Sequence, residues 1–124
     1  MDGPAALTFA HVSAVNRSRC ERWHPGFPKP DASGWSGADW SNAMCGEAGE
    51  AANVVKKLRR AEAGMRGVLD GDEAELLQKL ADEVADVYPY LDLLATYYGI
   101  DVPSAIVSKF DRVSELQGFP ERLA

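Results

Sequence analysis

The strongest constraint on the fold is a pair of amphipathic segments whose apolar faces both contain carboxylates. In the segment around CGEAGEAANVV, a helical wheel places Glu47 about 20° and Glu50 about 80° from the line of the apolar stripe. In the segment around LADEVADVYPYL, Glu83 and Asp86 take the same offsets. Because two such stripes are expected to pack together, the four carboxylates should converge.

The apolar stripes define the core that each of these two helices is expected to contribute. The stripe of the first segment is Trp40, Met44, Ala51, Val55 and Leu58. The stripe of the second segment is Leu76, Leu80, Val84, Val87, Leu91, Leu94 and Tyr98.

Apolar periodicity and helix punctuation predict four helices and no strand. Asp39 and Asp72 are the expected caps of the second and third helices, and Gly64, Gly99 and Gly118 are expected to end the last three. The expected bounds are residues 5–22, 39–63, 72–98 and 103–117, with a Pro- and Trp-rich loop over 23–37 and a linker over 65–71.

Length and charge narrow the possible functions. A chain of 124 residues is typical of one domain with its own core, so residues 1–124 are expected to form a single domain. The net charge of −6 argues against nucleic acid or an anionic membrane as partner. Cys20 and Cys45 form no Cys-x-x-Cys pair, and no signal or membrane-spanning segment is evident. These features favour a cytoplasmic protein.

Converging carboxylates need positive charge between them, because ionised groups are costly to bury without a partner. Salt bridges from Lys57 and Lys79 would account for only part of the set. A ligand set made only of oxygen favours Mg²⁺, with Mn²⁺ as the alternative. A di-iron bundle would need Glu-x-x-His pairs, and His11 and His24 lie outside both motifs.

Gly46 and Gly49 interrupt the first carboxylate segment, where each costs about 0.5 to 1 kcal/mol relative to alanine. Two explanations remain open. The absence of side chains at these two positions would permit a tight helix crossing. It would equally permit close approach of a ligand.

The segments GEAGEAANVVKKL and LADEVADVYPYLDLLATYYGID resemble the MazG-like family of all-α nucleoside triphosphate pyrophosphohydrolases. The family signature pairs Glu-x-x-Glu with Glu-x-x-Asp, which Glu47, Glu50, Glu83 and Asp86 match. The Gly-Ile-Asp helix break and Lys109 extend the resemblance, which covers residues 7–123.

The resemblance implies a four-helix-bundle-type fold that assembles as a homodimer or homotetramer and splits a nucleoside triphosphate into monophosphate and pyrophosphate. It implies that the four acids of the signature hold Mg²⁺. One of Glu47 and Glu50 would also orient the attacking water. We favour Glu50, because the wheel places it at the margin of the stripe.

Candidate substrate contacts are less specific. They are Asn16, Trp23, Lys56, Lys57, Lys109 and Arg112. The cations have an alternative role as surface charges, and the KKLRR cluster suits the negative end of a helix dipole. Trp23, Trp35 and Trp40 either stack on a base or pack in the core. Family members often place Asn where this chain has Asp111, so a substrate contact there is not expected to carry over.

Two other functions fit the same residues. The first is an enzyme of the same fold that acts on an alarmone or a modified nucleotide. The second is a catalytically silent helical interaction module that keeps its carboxylates for salt bridges or assembly.

Overall fold

The computed structural model describes residues 6–29, 34–65 and 71–124. Within these residues the chain is all-α, as predicted, with four helices and no strand. The helices are α1 (Phe9–Trp23), α2 (Gly37–Glu62), α3 (Glu73–Tyr97) and α4 (Val102–Gln117). Residue 5, part of the predicted loop (30–33) and most of the predicted linker (66–70) lie outside the described residues. None of the four helices contains a stretch apolar and long enough to span a bilayer.

The first two helices begin at caps that the sequence reasoning missed. The Thr8 side chain accepts a hydrogen bond from the backbone N–H of His11 at 3.1 Å, so α1 starts at Phe9 rather than residue 5. Ser36, not Asp39, is the N-cap of α2. Asp39 lies one turn inside, where its carboxylate accepts from the backbone N–H of Ser36 at 2.8 Å.

The third and fourth helices start as predicted, with α4 beginning one residue before Pro103. The Asp72 carboxylate accepts from the backbone N–H of Glu75 at 2.8 Å, which confirms Asp72 as a cap. Asp101 caps α4 by accepting from the N–H of Ser104 at 2.9 Å, and these hydrogen bonds lower the pKa of Asp101. Gly118 has a φ of 74°, a left-handed conformation that favours glycine, and it ends α4 as predicted.

The chain divides into two compact units, and the prediction of a single domain stays a prediction. One unit is Met1–Gly34 with Ala95–Ala124, and the other is Trp35–Leu94. The second unit contains α2 and most of α3. Both cysteines are free thiols, Cys20 buried and Cys45 exposed.

Contacts within the second unit show that α2 and α3 pack as an antiparallel pair. Three layers follow one another along the pair: an aromatic layer, a carboxylate layer and an aliphatic layer. They are Trp40 with Tyr90, Glu47 with Glu83, and Val54 with Leu76. Each step of seven residues forward on α2 matches a step of seven residues back on α3. Successive layers are therefore about 10.5 Å apart along the helices.

The predicted stripes are largely correct and fail at three positions. Val54 is buried, whereas the predicted Val55 is 48% exposed, and Val84 is 57% exposed. Both exposed valines lie about 60° to 80° from their stripe lines on the same side of the pair, beyond the contact between the helices. Tyr98 is also exposed, because α3 ends at Tyr97 and the helical wheel no longer applies.

Candidate metal centre

The carboxylate layer brings together three of the four predicted acids. One oxygen each of Glu47, Glu83 and Asp86 lies within 4.8 Å of the other two. Glu47 and Glu83 are half-buried between the helices, and Asp86 is exposed at the side. This placement follows from the matched seven-residue steps of the two helices, which put the acids of both stripes at the same level.

Two oxygens in this layer lack the partners that buried polar atoms normally have. The Oε2 atoms of Glu47 and Glu83 are buried and have no hydrogen-bond partner. Lys57 and Lys79 therefore do not satisfy these two atoms, as a salt-bridge explanation would require. An unsatisfied buried acceptor costs about 1 to 3 kcal/mol, and more when it is charged. The layer is thus chemically incomplete without a cation or a proton.

Electrostatics within the layer favour protons when no cation is bound. Burial raises the pKa of Glu47, followed by the charge of Glu50, a hydrogen bond with Glu50 and the charge of Asp86. A hydrogen bond with Glu50 is the largest cause of the raised pKa of Glu83, followed by burial and the charges of its neighbours. A hydrogen bond between two carboxyl groups needs a shared proton, so a bound cation would compete with protons here.

Glu50 is the fourth acid, and it stands at the open side of the layer. Its side chain is exposed and interacts with both Glu47 and Glu83. Glu50 and Asp86 have the same offset on their helices, so in an antiparallel pair they face the same side. That side of the layer therefore carries its two exposed acids.

The layers on either side of the carboxylates are packed. Trp40 is only 2% exposed, and its ring centroid lies 6.4 Å from that of Tyr90 and 4.7 Å from that of Trp35. Core packing is therefore the role of Trp40, rather than base stacking. On the other side, Val54, Leu58 and Leu76 form a buried cluster.

The two glycines of α2 have open space around them among the described residues. An ideal Cβ placed on Gly46 or Gly49 would meet no atom within 4 Å, and both residues are exposed. The described part of the chain therefore shows no tight helix crossing at these glycines. What remains is close approach by a ligand or by a neighbouring chain.

The predicted cations occupy different surroundings. Lys57 is half-buried two turns beyond Glu50 on the same face of α2, and Lys56 is exposed. Lys109 and Arg112 are exposed on α4, in the other unit.

Asn16 and Trp23 belong to α1 in that same unit and differ in burial. Asn16 is buried, whereas Trp23 is 68% exposed, so core packing is the wrong explanation for Trp23. The guanidinium carbon of Arg19 lies 5.8 Å from the centroid of the Trp23 ring. Sequence reasoning missed Arg19, although the spacing of four residues on a helix was a readable signal.

Asp111, the departure from the family pattern, has a structural partner. Its carboxylate accepts hydrogen bonds from the backbone N–H groups of Leu123 at 2.7 Å and Ala124 at 3.4 Å. The residue therefore ties the segment after α4 back to the helix. An anchoring role explains the acid at this position without any substrate contact.

Comparison with known proteins adds no family assignment. No protein-family model matches the chain, and no curated protein matches it significantly. Any function must therefore be argued from the residues and their geometry.

Proposed function

We propose that this chain is a nucleoside triphosphate pyrophosphohydrolase that depends on Mg²⁺ or Mn²⁺ and releases nucleoside monophosphate and pyrophosphate. The observation that carries the proposal is the carboxylate layer, where Glu47, Glu83 and Asp86 converge and two buried oxygens have no partner. An oxygen-only donor set fits a hard divalent cation. The resemblance in the two carboxylate segments supplies the reaction.

In the proposed mechanism, Glu47, Glu83 and Asp86 would hold the cation, with Glu50 as the fourth predicted ligand. When bound, it neutralises charge on the phosphate oxygens. Glu50 accepts the proton of the attacking water, because it is exposed yet contacts Glu47 and Glu83. Its exposure at the side of the layer leaves its carboxylate accessible to water.

Substrate contacts complete the proposal. Lys57 has the best placed charge for phosphates, since it lies on the face of Glu50, and the open surface at Gly46 and Gly49 leaves room for a ligand. Lys56, Lys109, Arg112, Asn16 and Trp23 are the other proposed contacts. The free thiols are compatible with a cytoplasmic setting.

Oligomerisation is part of the same proposal. Val55, Leu77 and Val84 are exposed large apolar residues of α2 and α3. On the helical wheels they lie on the side of the pair opposite to Glu50 and Asp86. A homodimer or homotetramer would cover this side and leave the carboxylate side open.

The decisive experiment incubates the pure protein with Mg²⁺ and a panel of canonical, modified and alarmone nucleotides, and identifies the products. We expect pyrophosphate and a nucleoside monophosphate in equal amounts from at least one triphosphate, and no product when the metal is chelated. If only alarmones are turned over, the proposed site stands and the proposed substrate changes from a nucleoside triphosphate to an alarmone. Absence of turnover across the panel would contradict the proposal.

The exposed apolar residues also support a second candidate, a silent helical interaction module. Such a module would keep its oligomeric state or its partner whatever happens to the carboxylates. Stable assembly without turnover on the panel would favour it over the enzyme.

A further inference from the structure

Among the three tryptophans of this chain, Trp23 is the exposed one. It is the last residue of α1 and is 68% exposed, whereas Trp40 is 2% exposed. An aromatic side chain buries about 150 to 250 Å² when it packs in a core. An exposed indole therefore forgoes much of the favourable free energy of burial. The ring offers a flat surface on which another ring can stack.

One face of this indole already carries a positive charge. Arg19 lies one helical turn before Trp23, and its guanidinium carbon is 5.8 Å from the ring centroid, within the range of a cation–π contact. With 68% of Trp23 exposed, much of its surface remains accessible to a ligand beside that guanidinium.

We propose that Arg19 is a charge-selectivity residue, which lets Trp23 stack on a neutral nucleobase and disfavours a positively charged one. A bare indole face attracts cations, because its π electrons are negative. In this pair the guanidinium occupies one face of the ring, and its positive charge repels a second cation that approaches the other face. The same charge attracts the phosphates of a nucleotide.

The inference rests on the proposed function only in taking the ligand to be a nucleotide. The proposed contact would bind neutral bases more tightly than bases that are positively charged at neutral pH after alkylation. A purely structural role for Arg19 is the alternative, since a cation near the end of a helix interacts favourably with the helix dipole. That role affects stability but predicts no preference between two ligands of different charge.

The test compares adenosine 5′-monophosphate with its 1-methyl derivative, whose base is cationic at neutral pH. Binding to the full chain is followed by NMR through the three indole N–H signals of the protein, without divalent cations, and a Trp23→Phe variant identifies the signal of Trp23. We expect the Trp23 signal to shift on binding and the unmodified nucleotide to bind about threefold or more tightly than the methylated one.

Matched variants separate the charge over the ring from charge in general. Arg19→Gln should abolish or reverse the preference, and Arg19→Lys should retain most of it. Arg22→Gln removes the same charge from the last turn of α1 and should leave the preference unchanged, because adjacent helical residues point in different directions.

Three results would overturn the inference. They are a Trp23 signal that neither nucleotide shifts, equal affinity of the wild type for both nucleotides, and a loss of preference in Arg22→Gln equal to that in Arg19→Gln. If Arg19→Gln fails to fold, Arg19→Met, which removes the same charge and keeps a long side chain, takes its place in the comparison with Arg19→Lys and Arg22→Gln. Because no hydrolysis is measured, failure of the proposed enzymatic function would leave this result standing, and the reverse also holds.

Discussion

Among single residues, the carboxylates of the proposed metal site are held close together despite their mutual repulsion. The pKa values of Glu47 and Glu83 are raised above 4.5. The largest cause is burial for Glu47 and a hydrogen bond with Glu50 for Glu83, and neighbouring acidic charges add to both. The folded state therefore binds protons more tightly than the unfolded state at these residues. By linkage, the stability contributed by these protons is complete below about pH 4.5 and is lost as pH rises through the folded pKa values.

Measuring the free energy of unfolding as a function of pH tests this contribution of bound protons to stability. With a chelator present, we expect these two residues to make the free energy of unfolding fall as pH rises above about 4.5, and Glu47→Gln should weaken that dependence. With Mg²⁺ at 100 times its Kd, stability near neutral pH should rise by about 2.7 kcal/mol. Urea unfolding at each pH provides the measurement. Identical profiles for wild type and variant would contradict the assigned pKa shifts.

Glu50 is the residue whose chemical role is easiest to isolate. Glu50→Gln keeps the volume of the side chain and removes the group that accepts a proton, so we expect turnover to fall by about 10²-fold or more with the helical content unchanged. Circular dichroism and pyrophosphate release provide the two readouts. Glu62→Gln, which removes an exposed carboxylate near the end of the same helix, is the control and should stay active. Full activity of Glu50→Gln would contradict its role.

At the scale of elements, a cap sets the start of α1. Thr8→Ala removes the acceptor of the 3.1 Å hydrogen bond from His11, so we expect a loss of about 1 kcal/mol in the free energy of unfolding. Ser18→Ala, on the exposed part of the same helix, should be neutral or slightly stabilising. Denaturant titrations measure both changes. An equal loss in both variants would argue against the cap.

The sequence was sufficient for the helices and for the carboxylate layer, because both follow from helical periodicity. Asp72 and Gly118 were readable as punctuation, and the equal offsets of the two acid pairs predicted their meeting. Helix starts at Thr8 and Ser36 were harder, since Ser, Thr and Asp residues are common and each cap depends on local hydrogen bonds.

The edge of the apolar stripe was the least predictable part of these helices. The wheel includes both Val54 and Val55 within reach of the core, and only the contact with α3 decides between them. The Arg19 contact with Trp23 was missed for a related reason. Helical spacing allows such a pair, but rotamers determine whether the guanidinium lies over the ring.

At the scale of the whole molecule, exposed apolar side chains argue for assembly. Val84→Glu places a charge on the apolar side of the α2 and α3 pair, so we expect light scattering to show a shift from an oligomer toward the 13.4 kDa monomer. Ala85→Glu adds the same charge one residue later, on a different face of α3, and should leave the oligomer intact. A Val84→Glu protein of unchanged mass would place the interface elsewhere.

Mn²⁺ binding followed by electron paramagnetic resonance measures whether the carboxylate layer holds a divalent cation. We predict that the wild type binds Mn²⁺, that Mg²⁺ competes, and that Glu83→Gln weakens binding by about tenfold or more. Glu73→Gln removes an exposed carboxylate at the start of the same helix and should bind normally. A wild type that leaves Mn²⁺ free, or a Glu83→Gln variant with unchanged affinity, would contradict the account.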